Sequence, residues 1–276
     1  MPNGALHDGR RAVWTDPPVV PEDDNRLTSL QSRLAVRNRP NRRVAMYHSW
    51  RDLLFLHWRT DAAAVQASLP TGLTVDTFEG QAWIGLVPFF MRNIRPWWLP
   101  SLPGLSNFQE LNCRTYVIDA HGTPGVWFYS LDANSRLTVW GARAFYHLPY
   151  HLARMTYECD EERSRVDFRS HRRGIPRHAA SRFVYEPREE PSVCTPGTLE
   201  FFLIERYVLF AKRHDGELFY GQVHHAPYAV SPANVEVCDD SLLDLNGFHR
   251  TGRPPDHALF SRGVDVVVFP LTPVGR

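Results

Sequence analysis

Two short segments carry the side chains that could perform acid–base or anion-binding chemistry. The first, residues 141–153, reads GARAFYHLPYHLA and contains Arg143, Tyr150 and His151. The second, residues 108–119, reads FQELNCRTYVID and alternates polar with apolar residues, so a strand here would carry its polar residues on one face. The residues of that face are Glu110, Asn112, Arg114 and Tyr116.

Each of these side chains has a chemical use if both segments line one cavity. Glu110 or His151 could move a proton near neutral pH once burial adjusts its pKa. Arg143 could hold a carboxylate or enolate oxygen with two parallel hydrogen bonds, and Tyr150 could donate to a developing oxyanion. The predicted catalytic residues are Glu110, Arg143, Tyr150 and His151, and the predicted ligand-binding residues are Asn112, Arg114 and Tyr116. A satisfied polar network in an ordinary core is the alternative interpretation for each of them.

Composition narrows the class of protein. The 31 basic and 30 acidic residues give a formal net charge of +1, which indicates neither nucleic acid nor a membrane surface as a partner. The four cysteines form no C-x-x-C pair and are expected to be reduced thiols. The N-terminus lacks the apolar segment of a secretory signal, and no run approaches the roughly 18 apolar residues of a membrane span. We therefore expect a soluble, cytoplasmic protein.

Motifs for nucleotide, hydrolase and metal chemistry are absent from the sequence. It contains no dinucleotide-binding glycine pattern, Walker loop, nucleophile elbow or H-E-x-x-H. His147 and His151 have the i, i+4 spacing of two metal ligands on a helix, but Pro149 between them disfavours a helix there. We therefore expect neither a metal nor a cofactor.

The elements that must position these residues are mainly short strands. Residues 1–44 mix proline, aspartate and arginine without periodicity and are predicted to be a flexible N-terminal arm, and residues 45–276 are predicted to form a single domain. Helices are expected at DAAAVQASL and GTLEFFLIERY, and a hairpin at Asp215-Gly216. Strands are expected at LTVDTF, QAWIGLVPFFM, FQELNCRTYVID, GVWFYSLDA, RLTVWGARAFY, ARMTYECD, SRVDFRSH, SRFVYEP and VDVVVFPL.

The stretch RPWWLPSLPG is predicted to be an irregular loop, because it is apolar but rich in proline. Its Trp97 and Trp98 could cover a cavity mouth, mediate a contact in a homo-oligomer, or simply pack against the domain.

Six segments in order resemble one family. They are SWRDLLFLHW, LPTGLTVDTFEGQAWIGLVPFFM, FQELNCRTYV, GTPGVWFYSLDA, GARAFYHLPYHLARM and TLEFFLIERYVLFA. Together they look like the YqjF-type family of uncharacterised bacterial proteins, which looks related to the acetoacetate decarboxylase-like superfamily. The resemblance implies an α+β, mainly antiparallel β fold, in which a β-barrel or β-cone with a few short helices surrounds a closed, largely apolar cavity.

This sequence differs from the decarboxylases at the residues that form the Schiff base. In the decarboxylases the corresponding segment has the form Gly-Arg-Glu followed by Pro-Lys-Lys, and the first lysine forms a Schiff base with a β-keto acid. In this sequence Tyr150 replaces that lysine and His151 replaces its neighbour. The decarboxylases also carry a glutamate two residues after an aromatic residue, and Phe108-Gln109-Glu110 matches that pattern.

The single lysine of the chain, Lys212, argues against Schiff-base decarboxylation. Imine formation needs an activated primary amine, and Lys212 lies three residues before the Asp215-Gly216 turn, where a solvated setting is expected. The sequence instead favours a small-molecule-binding protein with a polar centre of Glu110 and Arg143, and possible lysine-independent catalysis on a keto acid or related carbonyl compound. The alternatives are a non-catalytic carrier or sensor of an apolar metabolite, and a scaffold that uses the arm.

Overall fold

Strands dominate the computed structural model, which describes residues 30–102, 105–176, 179–248 and 252–275. The strands within these residues are β1 (Met46–Thr60), β2 (Leu73–Val75), β3 (Ala82–Pro96), β4 (Phe108–Asp119), β5 (Pro124–Ala133), β6 (Tyr150–Asp160), β7 (Arg165–Arg172), β8 (Ser181–Pro187), β9 (Ser192–Val193), β10 (Val208–Lys212), β11 (Leu218–His224), β12 (Ala229–Cys238), β13 (His257–Val268) and β14 (Thr272–Pro273). The helices are α1 (Ala62–Ser68), α2 (Arg136–Tyr146), α3 (Leu199–Ile204) and α4 (Ser241–Leu245). Residues 30–35 are also helical.

The sheet closes on itself in two rings. The first ring runs β11, β10, β5, β4, β3, β1 and β13, and a pairing of β13 with β11 completes it. The second ring uses β6, β7, β8 and β12 to connect β5 back to β13. Strand pairs are antiparallel except β5 with β6 and β5 with β10. Because both rings share β1, β3 and β4, these strands are covered on both faces, and the predicted barrel-like, mainly antiparallel α+β fold is confirmed.

Each ring encloses its own hydrophobic cluster. Strand β1 contributes side chains to both clusters, because alternate residues of a strand point to opposite faces. Leu53 and Phe55 belong to the cluster inside the first ring. Leu54 and Leu56 belong to the cluster inside the second ring, together with Phe168 of β7. The shared strands therefore separate two interiors.

Helix α2 corrects one prediction, since RLTVWGARAFY was expected to be a strand. The Ser135 hydroxyl accepts a hydrogen bond from the backbone N–H of Thr138 and caps the helix. The side chains of Val139, Ala142 and Tyr146 pack on the first-ring cluster, and their spacing of three and four residues matches a helical period. The strand prediction failed because the helix also exposes large apolar residues, which hide this period. They are Leu137, Trp140 and Phe145.

The two predicted helices form. Asp61 caps α1 by accepting from the backbone N–H groups of Ala63 and Ala64, as the sequence predicts. Helix α3 is shorter than the predicted GTLEFFLIERY: Thr198 caps it, and it ends at Ile204. The last three residues of that segment leave the helix and lead into β10. Because the helix ends at Ile204, Arg206 lies beyond it and lines the cavity described below.

Part of the predicted N-terminal arm packs against the domain. The Arg33 side chain is buried, and its Nη2 lies 2.7 Å from both carboxylate oxygens of Asp76. Gln222 Nε2 donates to the backbone oxygen of Val36 at 3.2 Å. Residues 30–44 are therefore not a free segment, because a buried ion pair holds them, whereas residues 1–29 lie outside the described residues. No helix in the described part of the chain is long and apolar enough to cross a bilayer.

Candidate functional site: a cavity inside the first ring

A cavity of about 520 Å³ lies inside the first ring of strands. This volume is within the range of sites for small organic ligands. Its apolar wall includes Leu53, Phe55, Val87, Phe89, Met91, Phe108, Val126, Leu131, Leu148 and Val208. The polar residues in the wall include His48, Glu110, Asn112, Arg114, Tyr150, Arg206 and Tyr228, with the indole of Trp50.

Glu110 and Tyr150 meet in this cavity. The Tyr150 hydroxyl donates to Glu110 Oε2 at 2.5 Å, and Asn112 Nδ2 donates to Glu110 Oε1 at 3.4 Å. The strand order brings them together, because β5 lies between β4 and β6 and pairs with both. The two segments that the sequence analysis started from therefore do converge.

The environment of Glu110 changes its acidity. Burial raises the pKa of Glu110 from 4.5 to about 7, while the hydrogen bonds from Tyr150 and Asn112 oppose this shift and the nearby Asp132 carboxylate adds to it. Burial, and then the charge and hydrogen bond of Glu110, raises the pKa of Tyr150 well above its ordinary value. Tyr150 is thus a donor throughout the physiological range, and Glu110 can gain or lose a proton near neutral pH.

Two arginines lie at the part of the cavity wall next to α3. Arg114 Nη2 donates to the backbone oxygen of Leu203 at 3.3 Å. Arg206 Nε donates to the backbone oxygen of Phe202 at 2.7 Å, and its Nη1 lies 2.8 Å from Asp76 Oδ2. Burial lowers the pKa of Arg206 to about 10, so the guanidinium remains charged at neutral pH.

Arg143 does not occupy the predicted place. It lies on the exposed side of α2, and its Nε donates to the backbone oxygen of Tyr150 at 2.6 Å. Arg143 is not among the described residues that line the cavity. The expected polar centre of Glu110 and Arg143 is therefore replaced by Glu110 and Tyr150, because the predicted strand is a helix that turns Arg143 outward.

His151 lies beside Tyr150 on β6 and so points to the opposite face of the sheet. It is partly buried, is absent from the described cavity wall, and lies opposite Asp132 in the β5–β6 pairing. Burial, followed by the charges of Arg172 and Arg143, lowers the pKa of His151 to about 4. This position and this pKa do not suit the predicted proton transfer.

The three predicted ligand-binding residues differ in position. Asn112 and Arg114 line the cavity, whereas Tyr116 lies behind them and is fully buried. The ring centroid of Tyr116 lies 4.7 Å from the guanidinium carbon of Arg206 and 5.7 Å from that of Arg114. Tyr116 therefore supports the two arginines and is not itself part of the wall.

Sequence reasoning missed Arg206 and His48. Arg206 stands in the apolar run FFLIERYVLF, and this interruption by charged residues was a usable signal. His48 lies on β1, and burial lowers its pKa to about 4. Neither ring nitrogen of His48 has a hydrogen-bond partner among the described residues. Nothing in the sequence distinguishes this histidine from the twelve others.

Exposed apolar residues surround the opening of the cavity. Leu102 and Leu105, from the loop after β3, and Leu137 and Phe145, from α2, line the cavity and are also exposed. Trp97 and Trp98 are 46% and 63% exposed and are not among the wall residues described. The two tryptophans therefore belong to the same loop as Leu102 and Leu105 but do not line the cavity.

The closed ring of strands around an interior cavity has the acetoacetate decarboxylase-like fold. The structure aligns with acetoacetate decarboxylase from Legionella pneumophila subsp. pneumophila str. Philadelphia 1 at a TM-score of 0.59, with 14% identity over 95% of this chain and 98% of that one. It aligns with an acetoacetate decarboxylase-like enzyme from Sphingomonas wittichii RW1 at a TM-score of 0.57, with 16% identity over 84% and 94% of the two chains. The enduracididine biosynthesis enzyme MppR, in complex with pyruvate, gives a TM-score of 0.57 with 11% identity over 86% and 93%.

The chain belongs to the DUF2071 family, described as an uncharacterized conserved protein, whose model matches residues 47–265. It is 38% identical over 227 residues to the uncharacterized protein YqjF of Bacillus subtilis (strain 168), which covers 82% of this chain and 91% of YqjF. The expected family resemblance is thereby confirmed. Lys212, the single lysine, is exposed at the end of β10 and does not line the cavity.

Proposed function

We propose that the protein binds a small, largely apolar organic molecule in the cavity inside the first ring. One observation carries the proposal: residues that line this cavity hold buried polar atoms without partners among the described residues. They include both ring nitrogens of His48, Trp50 Nε1 and Asn112 Oδ1. Buried polar groups are normally paired with protein, water or ligand, so unpaired ones in a cavity wall indicate an occupant.

The binding proposal is tested by native mass spectrometry of protein purified from its own cell. We expect a retained small molecule, and we expect Val87→Phe, which fills part of the cavity from β3, to lose it. Leu245→Phe on the exposed surface is the matched control and should retain the molecule. Equal spectra for wild type and Val87→Phe, with no bound mass in either, would contradict the proposal.

A second candidate function is proton-transfer catalysis on a carbonyl compound without a Schiff base. It is supported by the pKa of Glu110, raised to about 7, because a base poised near the working pH transfers protons most efficiently. In this reaction the Glu110 carboxylate takes a proton from a carbon next to a ketone, and the C–H electron pair forms an enolate. Return of the proton to carbon regenerates the carboxylate. The structural neighbour MppR binds pyruvate, which supports a keto acid as the substrate class.

Deuterium exchange tests this chemistry directly. We expect the protein to incorporate solvent deuterium next to the ketone of some members of a straight-chain keto acid panel, followed by NMR. Glu110→Gln should slow the exchange by about a hundredfold or more, the range for loss of a general base. Tyr150→Phe keeps the carboxylate and should retain part of the rate. Exchange that is equal in Glu110→Gln and wild type would exclude Glu110 as the base, and no exchange above buffer would leave binding alone.

A further inference from the structure

Two buried guanidinium groups share one part of the cavity wall. Arg114 projects from β4 and Arg206 follows α3, and their exposed fractions are 9% and 7%. The backbone oxygens of Phe202 and Leu203 hold Arg206 and Arg114 respectively. Because these carbonyls are consecutive at the end of α3, they hold both guanidinium groups near this end of the helix, and the guanidinium carbons of Arg114 and Arg206 lie 5.7 Å and 4.7 Å from the Tyr116 ring centroid.

Both guanidinium groups keep unused hydrogen-bond donors. Arg114 Nε and Arg206 Nη2 are buried and have no partner among the described residues. An arginine offers five N–H donors in a planar arrangement that matches a carboxylate. Leaving buried charged donors without partners is costly, so an acceptor is expected to occupy this part of the cavity.

The guanidinium groups at this place outnumber the carboxylates, because the buried Glu205 carboxylate next to Arg206 lies 3.9 Å from the guanidinium of Arg37. Asp76 contacts Arg206 at 2.8 Å and Arg33 at 2.7 Å, so one carboxylate serves two guanidinium groups. Arg114 bonds only to a neutral carbonyl, and no carboxylate of the described residues lies within ion-pair distance of it. Glu110 lies four residues away on β4, about 13 Å along the strand, and is uncharged below a pH of about 7. This part of the cavity is therefore positively charged.

We propose that Arg114 and Arg206 bind the carboxylate of an amphipathic monocarboxylic acid whose apolar chain fills the remainder of the cavity. This inference rests on the proposed binding function and names the ligand class. The carboxylate accepts hydrogen bonds from the unused donors, which supplies the missing negative charge. The chain then contacts the apolar wall, including Phe55 and Val126, and extends along β4 toward Glu110 and Tyr150.

Isothermal titration calorimetry with decanoate and its neutral analogue decanamide tests the inference. We expect wild type to bind decanoate at least tenfold more tightly than decanamide, because only the carboxylate forms an ion pair with the guanidinium groups in addition to the hydrogen bonds. Arg114→Met, which removes a guanidinium without breaking an ion pair, should weaken decanoate binding more than decanamide binding and so reduce this preference. Arg169→Met on exposed β7 is the matched control and should preserve it.

The outcomes separate this inference from the function on which it rests. Equal affinities of wild type for decanoate and decanamide would overturn the carboxylate site but leave the binding function standing. Tighter binding of decyl phosphate than of decanoate, lost in Arg114→Met, would replace the carboxylate by a phosphate. Binding of none of these probes would count against both proposals. The wild-type comparison needs no variant, so it is decisive even if Arg114→Met does not fold.

Discussion

The two faces of β4 are built from the same twelve residues and yet face opposite kinds of interior. On one face, Leu111 and Cys113 belong to the solid cluster inside the second ring. On the other face, Glu110, Asn112 and Arg114 line the cavity inside the first ring. Both faces are buried, so exposure to water does not explain why Glu110 and Arg114 lie on the cavity face, whereas Leu111 and Cys113 lie on the other face.

Hydrogen bonding distinguishes the two faces. Thr115, a polar residue on the solid face, donates to the backbone oxygen of Trp83 at 2.8 Å and so is satisfied. On the cavity face, Asn112 Oδ1 and Arg114 Nε have no partner among the described residues. A polar residue in a packed core must pair within the protein, whereas a polar residue in a cavity wall is free to pair with a ligand or water. The difference supports the proposal that the cavity face binds a ligand.

The largest effect is expected when the carboxylate that pairs with two buried arginines behind the cavity face is removed. Asp76→Asn leaves Arg33 and Arg206 buried without a counter-charge, and it should lower the free energy of unfolding by about 3 to 5 kcal/mol. Urea unfolding measures the loss. Asp265→Asn, which breaks the solvated pair with Arg51, is the control and should cost less than about 1 kcal/mol. Equal losses of unfolding free energy in the two variants would show that the buried ion pairs of Asp76 stabilise the fold no more than the solvated pair of Asp265.

A smaller effect should appear as a pH dependence of the free energy of unfolding, caused by Glu110 on the cavity face. The pKa of Glu110 is raised to about 7 in the folded protein from an ordinary value of 4.5, so the folded state holds the proton more tightly. Stability from this group is full below pH 4.5 and is lost as the pH rises to about 7. Glu110→Gln cannot ionise, so it should gain stability relative to wild type by up to about 3 kcal/mol across this range.

Urea unfolding of wild type and Glu110→Gln at pH 5 and pH 8 measures this difference. Groups other than Glu110 titrate in both proteins, so their contributions cancel when the two are subtracted. A difference that is the same at both pH values would show that Glu110 is not held in a desolvated site.

The smallest expected effect is the difference in stability loss between two phenylalanine-to-alanine substitutions, one inside each ring. Phe168→Ala removes a fully buried ring from the solid cluster and should cost about 3 to 5 kcal/mol. Phe108→Ala removes a ring that partly faces the cavity, where it makes fewer contacts, so its loss should be smaller by on the order of 2 kcal/mol. Urea unfolding of both variants without added ligand gives the comparison. Equal losses would indicate that the first ring is filled as tightly as the second.

Local patterns predicted much of this architecture. The alternation in FQELNCRTYVID placed Glu110, Asn112 and Arg114 on one face, because a strand has a period of two residues. The Asp61 cap and the Asp215-Gly216 turn were equally readable, since both depend on neighbouring residues alone. Helix α2 was mispredicted because its exposed apolar residues conceal the helical period, and Arg143 was misplaced with it.

The sequence by itself determined which residues could form strands, which face of β4 is polar, and that Lys212 is the only amine side chain available. Tertiary structure decided which polar groups meet. Tyr150 replaced Arg143 as the partner of Glu110 because strand order brings β6 to the same interior as β4. Arg206 joined Arg114 because α3 ends early and offers two consecutive carbonyls. Such pairings depend on contacts between residues 40 and 89 positions apart, and no local pattern encodes which distant segments close a ring.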